Sequence, residues 1–323
     1  MTCELVVPSL DDIRAAQKRL RPLAMRTPLI RLNVDDAPAE IYLKLENLQP
    51  IGSFKIRPAG SAILNAPRHL LAEGIYTASS GNMAQGVTYV ANTLGVPATV
   101  LLPQNPSAIK VDALQRLGAN IRELPFDEWW NVILEHRHPR EKGFFIHPVA
   151  QQDVLAGDAT VGLEILEDLP DVETVLVPYG GGGLSCGIAS ALRAMESNAR
   201  VLAAESAHAA PLLAALEAGK PVEIPYPHTF VSGIGNGGVL EEMWPLVDSL
   251  LAGSVVAGLD EIAAAIRMIF ERHRVIAEGA GAAPVAAALA GRAGCGKIVC
   301  VVSGGNLDRR YLIDILQGNV PEA

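Results

Sequence analysis

Thr174-Val175-Leu176-Val177 runs through Pro178-Tyr179 into Gly180-Gly181-Gly182-Gly183, and then into an Ala-rich stretch over residues 184–195. The short apolar run reads as a buried strand and the stretch after it as a helix. Four successive residues without a Cβ let backbone N–H groups converge on one anion at the helix start. Charge-assisted hydrogen bonds contribute roughly 1.5–3 kcal/mol each. The helix dipole adds only about 0.3–1 kcal/mol, so the amides would do most of the holding. A tight turn rarely needs four glycines, and the loop reads as a phosphate cradle.

The same unit recurs along the chain. Residues 74–78 lead into Ser79-Ser80-Gly81-Asn82 and a helix through Leu94. Residues 98–102 lead into Pro103-Gln104-Asn105-Pro106 and a helix over 107–117, and residues 297–302 run into Ser303-Gly304-Gly305-Asn306. Strands alternating with helices predict parallel α/β architecture, whose ligands bind beyond the carboxyl ends of the strands. At 323 residues, two lobes are expected. The polar stretch His138-Pro139-Arg140-Glu141-Lys142-Gly143 interrupts the pattern. The division predicted is a large lobe from residues 1–72 and 146–323, and a small lobe from residues 73–145.

Half of the residues are hydrophobic but only 5% are aromatic, a balance that suits buried strands under tightly packed helices. A net charge of −9 argues against nucleic acid and anionic membrane surfaces as partners. The longest apolar stretches, such as residues 262–269 with Arg267 inside, are too short to span a bilayer. Cys3, Cys186, Cys295 and Cys300 form no C-x-x-C pair and read as reduced, mostly buried thiols. Cys3, Glu4, Asp11 and Asp12 interrupt any secretory start. A soluble, cytoplasmic protein acting on a small molecule is expected.

Gly52-Ser53-Phe54-Lys55-Ile56-Arg57 sets a lysine in an apolar frame just after a turn. A lone lysine there is usually a surface residue. If buried, its ammonium is disfavoured and the free amine can form an imine. Phe54 could wall an aromatic cofactor or be core. Ser or Asn over residues 79–82 is the ordinary helix-cap choice; two hydroxyls, a glycine and an amide together also make a nest for a carboxylate.

Gly183-Leu184-Ser185-Cys186-Gly187 fits the G-x-S-x-G elbow of serine hydrolases, with Asp260 and His273 downstream. That reading leaves the Lys55 and Ser303 loops unexplained. Gly233-Ile234-Gly235-Asn236-Gly237-Gly238 matches a dinucleotide fingerprint by spacing, but residues 227–231 make a poor buried strand. Residues 291–297 approach a P-loop, yet Ile298 replaces the hydroxyl and a strand follows. His136 and His138, among charges and prolines, predict a solvated turn rather than a metal site.

Five motifs occur in order: Leu43-Lys44-Leu45-Glu46-Asn47-Leu48-Gln49-Pro50 running into Gly52–Arg57, Ser80-Gly81-Asn82, the tetraglycine loop, Glu278-Gly279-Ala280-Gly281, and Ser303-Gly304-Gly305-Asn306. On these, over residues 22–316, the chain resembles the fold-type II enzymes that use pyridoxal 5′-phosphate (PLP). Within them it is similar to the serine/threonine dehydratase and serine racemase family. The resemblance implies a tryptophan synthase β-like α/β fold of two lobes, each with a mostly parallel sheet flanked by helices, and a homodimer. It implies that Lys55 is the Schiff-base lysine and the base for the Cα proton. Phe54 would pack by the ring, Asn82 would bond its phenolic oxygen, and Gly180, Gly181, Gly182, Gly183 and Leu184 would hold its phosphate. Gly233 would bring backbone close to the ring, Glu278 would join the cofactor shell, and Ser303 would face the pyridine nitrogen.

By the same resemblance, Ser79, Ser80, Gly81, Asn82 and Met83 cup the substrate carboxylate, and Ser80 is the opposite-face acid/base. A neutral hydroxyl at the ring nitrogen makes a shallower electron sink than a carboxylate, which favours early loss of a β-hydroxyl. The cofactor's phosphate would be the acid for that leaving group. The implied reaction is dehydration of L-threonine or L-serine to a 2-keto acid and ammonia. Alternatives are racemisation, or an aryl or acidic β-hydroxy amino acid as substrate.

The chain departs from the family pattern at several positions. Pro58 stands for a usual glycine, Met83 for a common histidine, and Gly157-Asp158-Ala159-Thr160 for Gly-Gln-Gly-Thr. Glu205 is followed by Ser206-Ala207-His208-Ala209-Ala210-Pro211, without the second carboxylate of a racemase-type cation site, so no metal ligand is expected. Trp129-Trp130 lies near the position of a substrate-facing arginine in racemases. Packing is the reading favoured for the pair; in the pocket they would admit a larger substrate. The chain ends soon after Leu316, which predicts no C-terminal regulatory domain and no feedback control.

Overall fold

The computed structural model of the protein describes residues 5–106 and 108–322. Cys3 and Ser107, the first residue of one expected helix, lie outside the described residues. Among the described residues ten strands form two sheets: β1 Leu29–Arg31, β2 Glu40–Lys44, β3 Ile75–Ala78, β4 Ala98–Pro103, β5 Asn120–Leu124, β6 Phe144–Phe145, β7 Thr174–Pro178, β8 Arg200–Ser206, β9 Ser254–Ala257 and β10 Lys297–Val301. The six-stranded sheet has the order β1-β2-β10-β7-β8-β9, and the four-stranded sheet β5-β4-β3-β6. Every pairing is parallel except β1 with β2. This is the α/β fold expected from the motifs.

The central strands are largely apolar because helices cover both faces. Every residue of β7 and of β3 is buried. Helix Gly183–Ala194 packs on the sheet through Leu184, Ile188 and Leu192, together with Val175 and Val177 of β7. Helix Gly279–Leu289, almost wholly Ala and Gly, fills the other side with Ile41, Leu43 and Ile298. Helix Ile56–Asn65 contributes Ile56, Ala59 and Ile63 to the core of the four-stranded sheet, beside Ile75, Val87, Val90 and Ala98. Cys186 and Cys300 are buried free thiols, and Cys295 is exposed.

Helix Ile56–Asn65 is fixed by a buried ionic cluster. Arg57, 2% exposed, donates to both oxygens of Glu46 at 2.8 Å and to both oxygens of Glu164 at 2.7 and 2.9 Å. Lys44 Nζ donates to Glu164 at 2.6 Å, and Thr27 Oγ1 to Glu46 at 2.6 Å. Each buried charge is thus met by an opposite one, the condition under which burial is tolerated. Pro58 sits in the first turn of the helix, where a missing N–H costs little. Gly157 lets helix Gln152–Asp168 close on it: a Cβ there would stand 2.6 Å from the Arg57 carbonyl oxygen and 2.8 Å from Pro58 Cα.

Candidate active site

The carboxyl ends of β3, β7 and β10 deliver the loops at Ser79, Gly180 and Ser303. The turn at residues 52–54 zips against the last of these: Phe54 N donates to Ser303 O, and Gly305 N to Gly52 O, both at 2.9 Å. Gly52 needs its positive φ of 71°, and a Cβ there would stand 2.6 Å from Asn306 Oδ1. Lys55 caps helix Ile56–Asn65 with helical backbone angles. Its half-buried side chain lays Nζ 4.9 Å from the centroid of the Phe54 ring and donates to Pro148 O at 2.8 Å. Removal from water lowers the pKa of this amine, an effect opposed by the charge of Asp158.

The cradle shares a loop with that lysine. A Cβ at Gly181 would stand 2.5 Å from Val149 Cγ2, one residue beyond the carbonyl that holds Lys55. At Gly180 it would meet Gly233 O at 2.7 Å, and at Gly183 Asp158 Oδ2 at 3.0 Å. Gly182 has φ +92°. Glycine is therefore required sterically at the first two positions and conformationally at the third. Gly233 is also brought in, at a positive φ and 4.0 Å by its Cβ position from Glu278 Oε1.

Gly81 caps helix Asn82–Thr93. A Cβ on Gly81 would meet nothing within 4 Å, so open space lies over this loop. Ser79 Oγ accepts from Gly81 N at 3.3 Å, and Ser79, Ser80 and Asn82 are all half-buried. Asn82 Nδ2 donates to Glu278 Oε1 and Asn306 Nδ2 donates to Asn82 Oδ1, both at 2.8 Å. Ser303 is buried. Met83 points its side chain into the core with Ile56 and Val87, so only its backbone could serve a carboxylate.

The family described as pyridoxal-phosphate dependent enzyme matches residues 20–304. The chain belongs to that family. It is 41% identical over 311 residues to the L-threonine ammonia-lyase of Geobacter sulfurreducens, covering 94% of this chain and 77% of that protein. It is 33% identical over 323 residues to the serine racemase of Oryza sativa, covering 95% and 93%. The maize serine racemase structure superposes with a TM-score of 0.88 at 32% identity, over 95% of this chain and 96% of that one. A member of this family uses PLP, and the residues present fit it. A cradle that a side chain would fill can take the phosphate. The neighbouring amine has a backbone carbonyl for its partner and a lowered pKa, as imine formation requires.

Other sequence expectations meet different fates. Ser185 is fully buried and donates to Gly182 O at 3.1 Å, while His273 Nε2 accepts from Asn33 N. The hydrolase constellation is therefore not assembled. The solvated turn at His136 and His138 is overturned. His138 is 2% exposed and contacts Glu128 Oε1 at 3.1 Å, and its backbone N–H donates to Tyr76 Oη at 3.1 Å. His136 stacks on His147 at 4.3 Å and meets both oxygens of Glu242. His136, His147 and Glu242 bring ligand-type atoms within 4.8 Å of one another. His147 Nδ1, however, accepts backbone N–H groups from Val149 and Ala150, which leaves the ring proton on Nε2, the atom a metal would need. Burial lowers the His147 pKa to about 3, so the ring is neutral.

Glu205 is engaged at a helix end. Its oxygens accept from Leu212 N at 2.8 Å, Leu213 N at 2.9 Å and Ser254 Oγ at 2.5 Å, capping helix Pro211–Ala218. Trp129 packs with Tyr76 and Leu101, and its Nε1 donates to Leu101 O at 3.0 Å; Trp130 is 38% exposed. Sequence reasoning gave no role to three features of the site. Asn306 was legible only as part of a polar loop. Pro148 and Val149 carry no motif signal. Asp158 was legible only as a departure from the family pattern, within Gly157-Asp158-Ala159-Thr160.

Proposed function

We propose that this enzyme is an ammonia-lyase that takes a small β-hydroxy amino acid, threonine or serine, to a 2-keto acid and ammonia. The observation that carries the reading is Lys55: a half-buried amine on a backbone carbonyl, one residue along the chain from the valine that packs into the glycine cradle. The relatives named for threonine ammonia-lyase activity support the reaction class. Bound through its aldehyde, PLP supplies the electron sink for the pair left when a Cα proton departs. Lys55, its amine favoured as the free base, takes that proton. The backbone of Gly180–Leu184 would grip the anionic tail, and Phe54 and Gly233 would flank the ring. Asn82, set by Glu278 and Asn306, serves the phenolic oxygen.

Ser303 would face the ring nitrogen with a neutral hydroxyl, which would make the ring a shallower electron sink and favour departure of the β-hydroxyl over reprotonation. Ser79, Ser80, Gly81 and the backbone at Asn82 and Met83 receive the substrate carboxylate under the open space above Gly81. Ser80 carries a second reading, racemisation, because a half-buried hydroxyl in that loop can hold a proton on the far face. We assign residues 73–145 to the small lobe, with 1–72 and 146–323 as the large one. A cytoplasmic homodimer completes the proposal, supported by the family resemblance and by the absence, among the described residues, of a helix long and apolar enough to cross a membrane.

The purified enzyme is expected to be yellow and to release keto acid from L-threonine. Borohydride should fix the colour-bearing group to Lys55. Colourless protein, or an adduct on another lysine, would end the assignment. Ser80→Ala is expected to cut racemisation more than dehydration of one enantiomer; equal loss of both would remove the second reading.

A further inference from the structure

Asp158 is wholly buried in the middle of helix Gln152–Asp168, and neither carboxyl oxygen has a hydrogen-bond partner among the described residues. It lies directly behind the cradle. Its Oδ2 is 3.0 Å from where a Gly183 Cβ would stand, and its Cβ is 2.7 Å from the corresponding point on Gly187. Helix Gly183–Ala194 thus rests flush on this side chain through two residues that have none.

The groups facing it can be taken element by element. The start of helix Ile56–Asn65 offers Lys55 and Arg57, and the turn Glu46–Leu48 offers Glu46. Helix Gly183–Ala194 offers the Cys186 thiol, which burial and Asp158 both push up, to about 12. Helix Leu10–Leu20 turns only Ile13, Ala16 and Leu20 inward. Arg57 is committed to Glu46 and Glu164, which leaves Lys55 as the cation that balances a charged Asp158.

We infer that Asp158 is the proton-accepting partner of the anion cradle: its carboxyl is neutral whenever the cofactor's phosphate is seated, so loading the enzyme takes up a proton at this side chain. The inference rests on reading Gly180–Leu184 as the phosphate cradle. A carboxylate behind Gly183 and a phosphate before it are like charges across one residue, in a setting where water cannot screen them. That repulsion favours the protonated acid. Burial already pushes Asp158 up to about 7, with Lys55 opposing, so the uptake falls in a working pH range. Above that value the carboxylate must be neutralised from solvent, and anion affinity falls by up to about tenfold per pH unit.

The probe is pyridoxine 5′-phosphate, which keeps ring and tail but has no aldehyde, added to full-length protein stripped of cofactor. At about pH 8 the infrared difference spectrum on binding is expected to gain the carbonyl stretch of a protonated carboxyl, a band that proton uptake by Lys55 cannot produce. Calorimetry in two buffers of different ionisation enthalpy should count about one proton taken up. Asp158→Asn is expected to lose the band and to bind the analogue about tenfold more tightly than wild type at pH 8. Tight binding to wild type without the band would overturn the inference and leave the cradle standing. Failure of both the analogue and PLP to bind would remove the cradle reading and the inference together. The wild-type spectrum decides the matter even if the variant does not fold.

Discussion

Helix Gln152–Asp168 carries two buried acids less than two turns apart, and they live in opposite circumstances. Glu164 accepts from Lys44 and twice from Arg57; Asp158 accepts from nothing described. Both face helix Ile56–Asn65, and both are almost fully removed from water. A charged group with every lone pair met is a frame, because removing a partner strands a charge. A buried carboxyl with none met is carried at a cost, and such groups concentrate where function requires them. The contrast separates what positions Lys55 from what works beside it.

The largest test of that contrast is Lys55→Ala, which removes the cation facing Asp158 and leaves the Arg57 cluster whole. Activity should fall by about 10⁴-fold or more, while the thermal midpoint stays near wild type; a comparable fall in stability would make Lys55 part of the frame. Next comes Glu164→Gln, which breaks the paired side. Urea denaturation should show a loss of roughly 3–5 kcal/mol, and a loss below about 1 kcal/mol would deny Glu164 its framing role.

Asp158 is expected to act through pH. Its folded pKa of about 7 stands above the ordinary 3.8. The folded state therefore holds a proton that the unfolded chain releases, and this stability is complete below about pH 3.8 and lost as pH rises to about 7. Cofactor-free wild type should lose up to about 1.4 kcal/mol per pH unit within that window, and Asp158→Asn should flatten the slope. Equal slopes would mean that Asp158 has a partner. The smallest effect belongs to Thr27→Val, which takes one neutral donor from Glu46 and should cost about 1–2 kcal/mol by the same denaturation assay.

Much of this was legible in the chain itself. Buried parallel strands are continuous apolar runs, so β3, β4, β7 and β10 could be placed within a residue or two, and the glycines after β7 announced a close approach of backbone. The motif around Lys55 was recognisable, but the reason for Lys44, Glu46 and Arg57 was not, because Glu164, which Lys44 and the Glu46-paired Arg57 share, lies far along the chain. Asp158 was visible as a departure without a consequence, since its meaning comes from Gly183 and Gly187 on another helix. The error at His138 has the same origin. Local polarity suggested solvent, whereas Tyr76 and Glu128 close over it from elsewhere in the fold. The chain shows no second carboxylate near Glu205, but only the fold reveals the helix end that its oxygens meet.

One small contact has a large mechanical consequence. Gly86, in the first turns of the helix behind the serine loop, leaves room for the carbonyl oxygen of Lys55, which would lie 2.6 Å from any Cβ there. The amine-bearing segment and the helix behind the serine loop therefore meet backbone to backbone. Any side chain at that contact would push the two apart and widen the space between the amine and the hydroxyls as the chain folds.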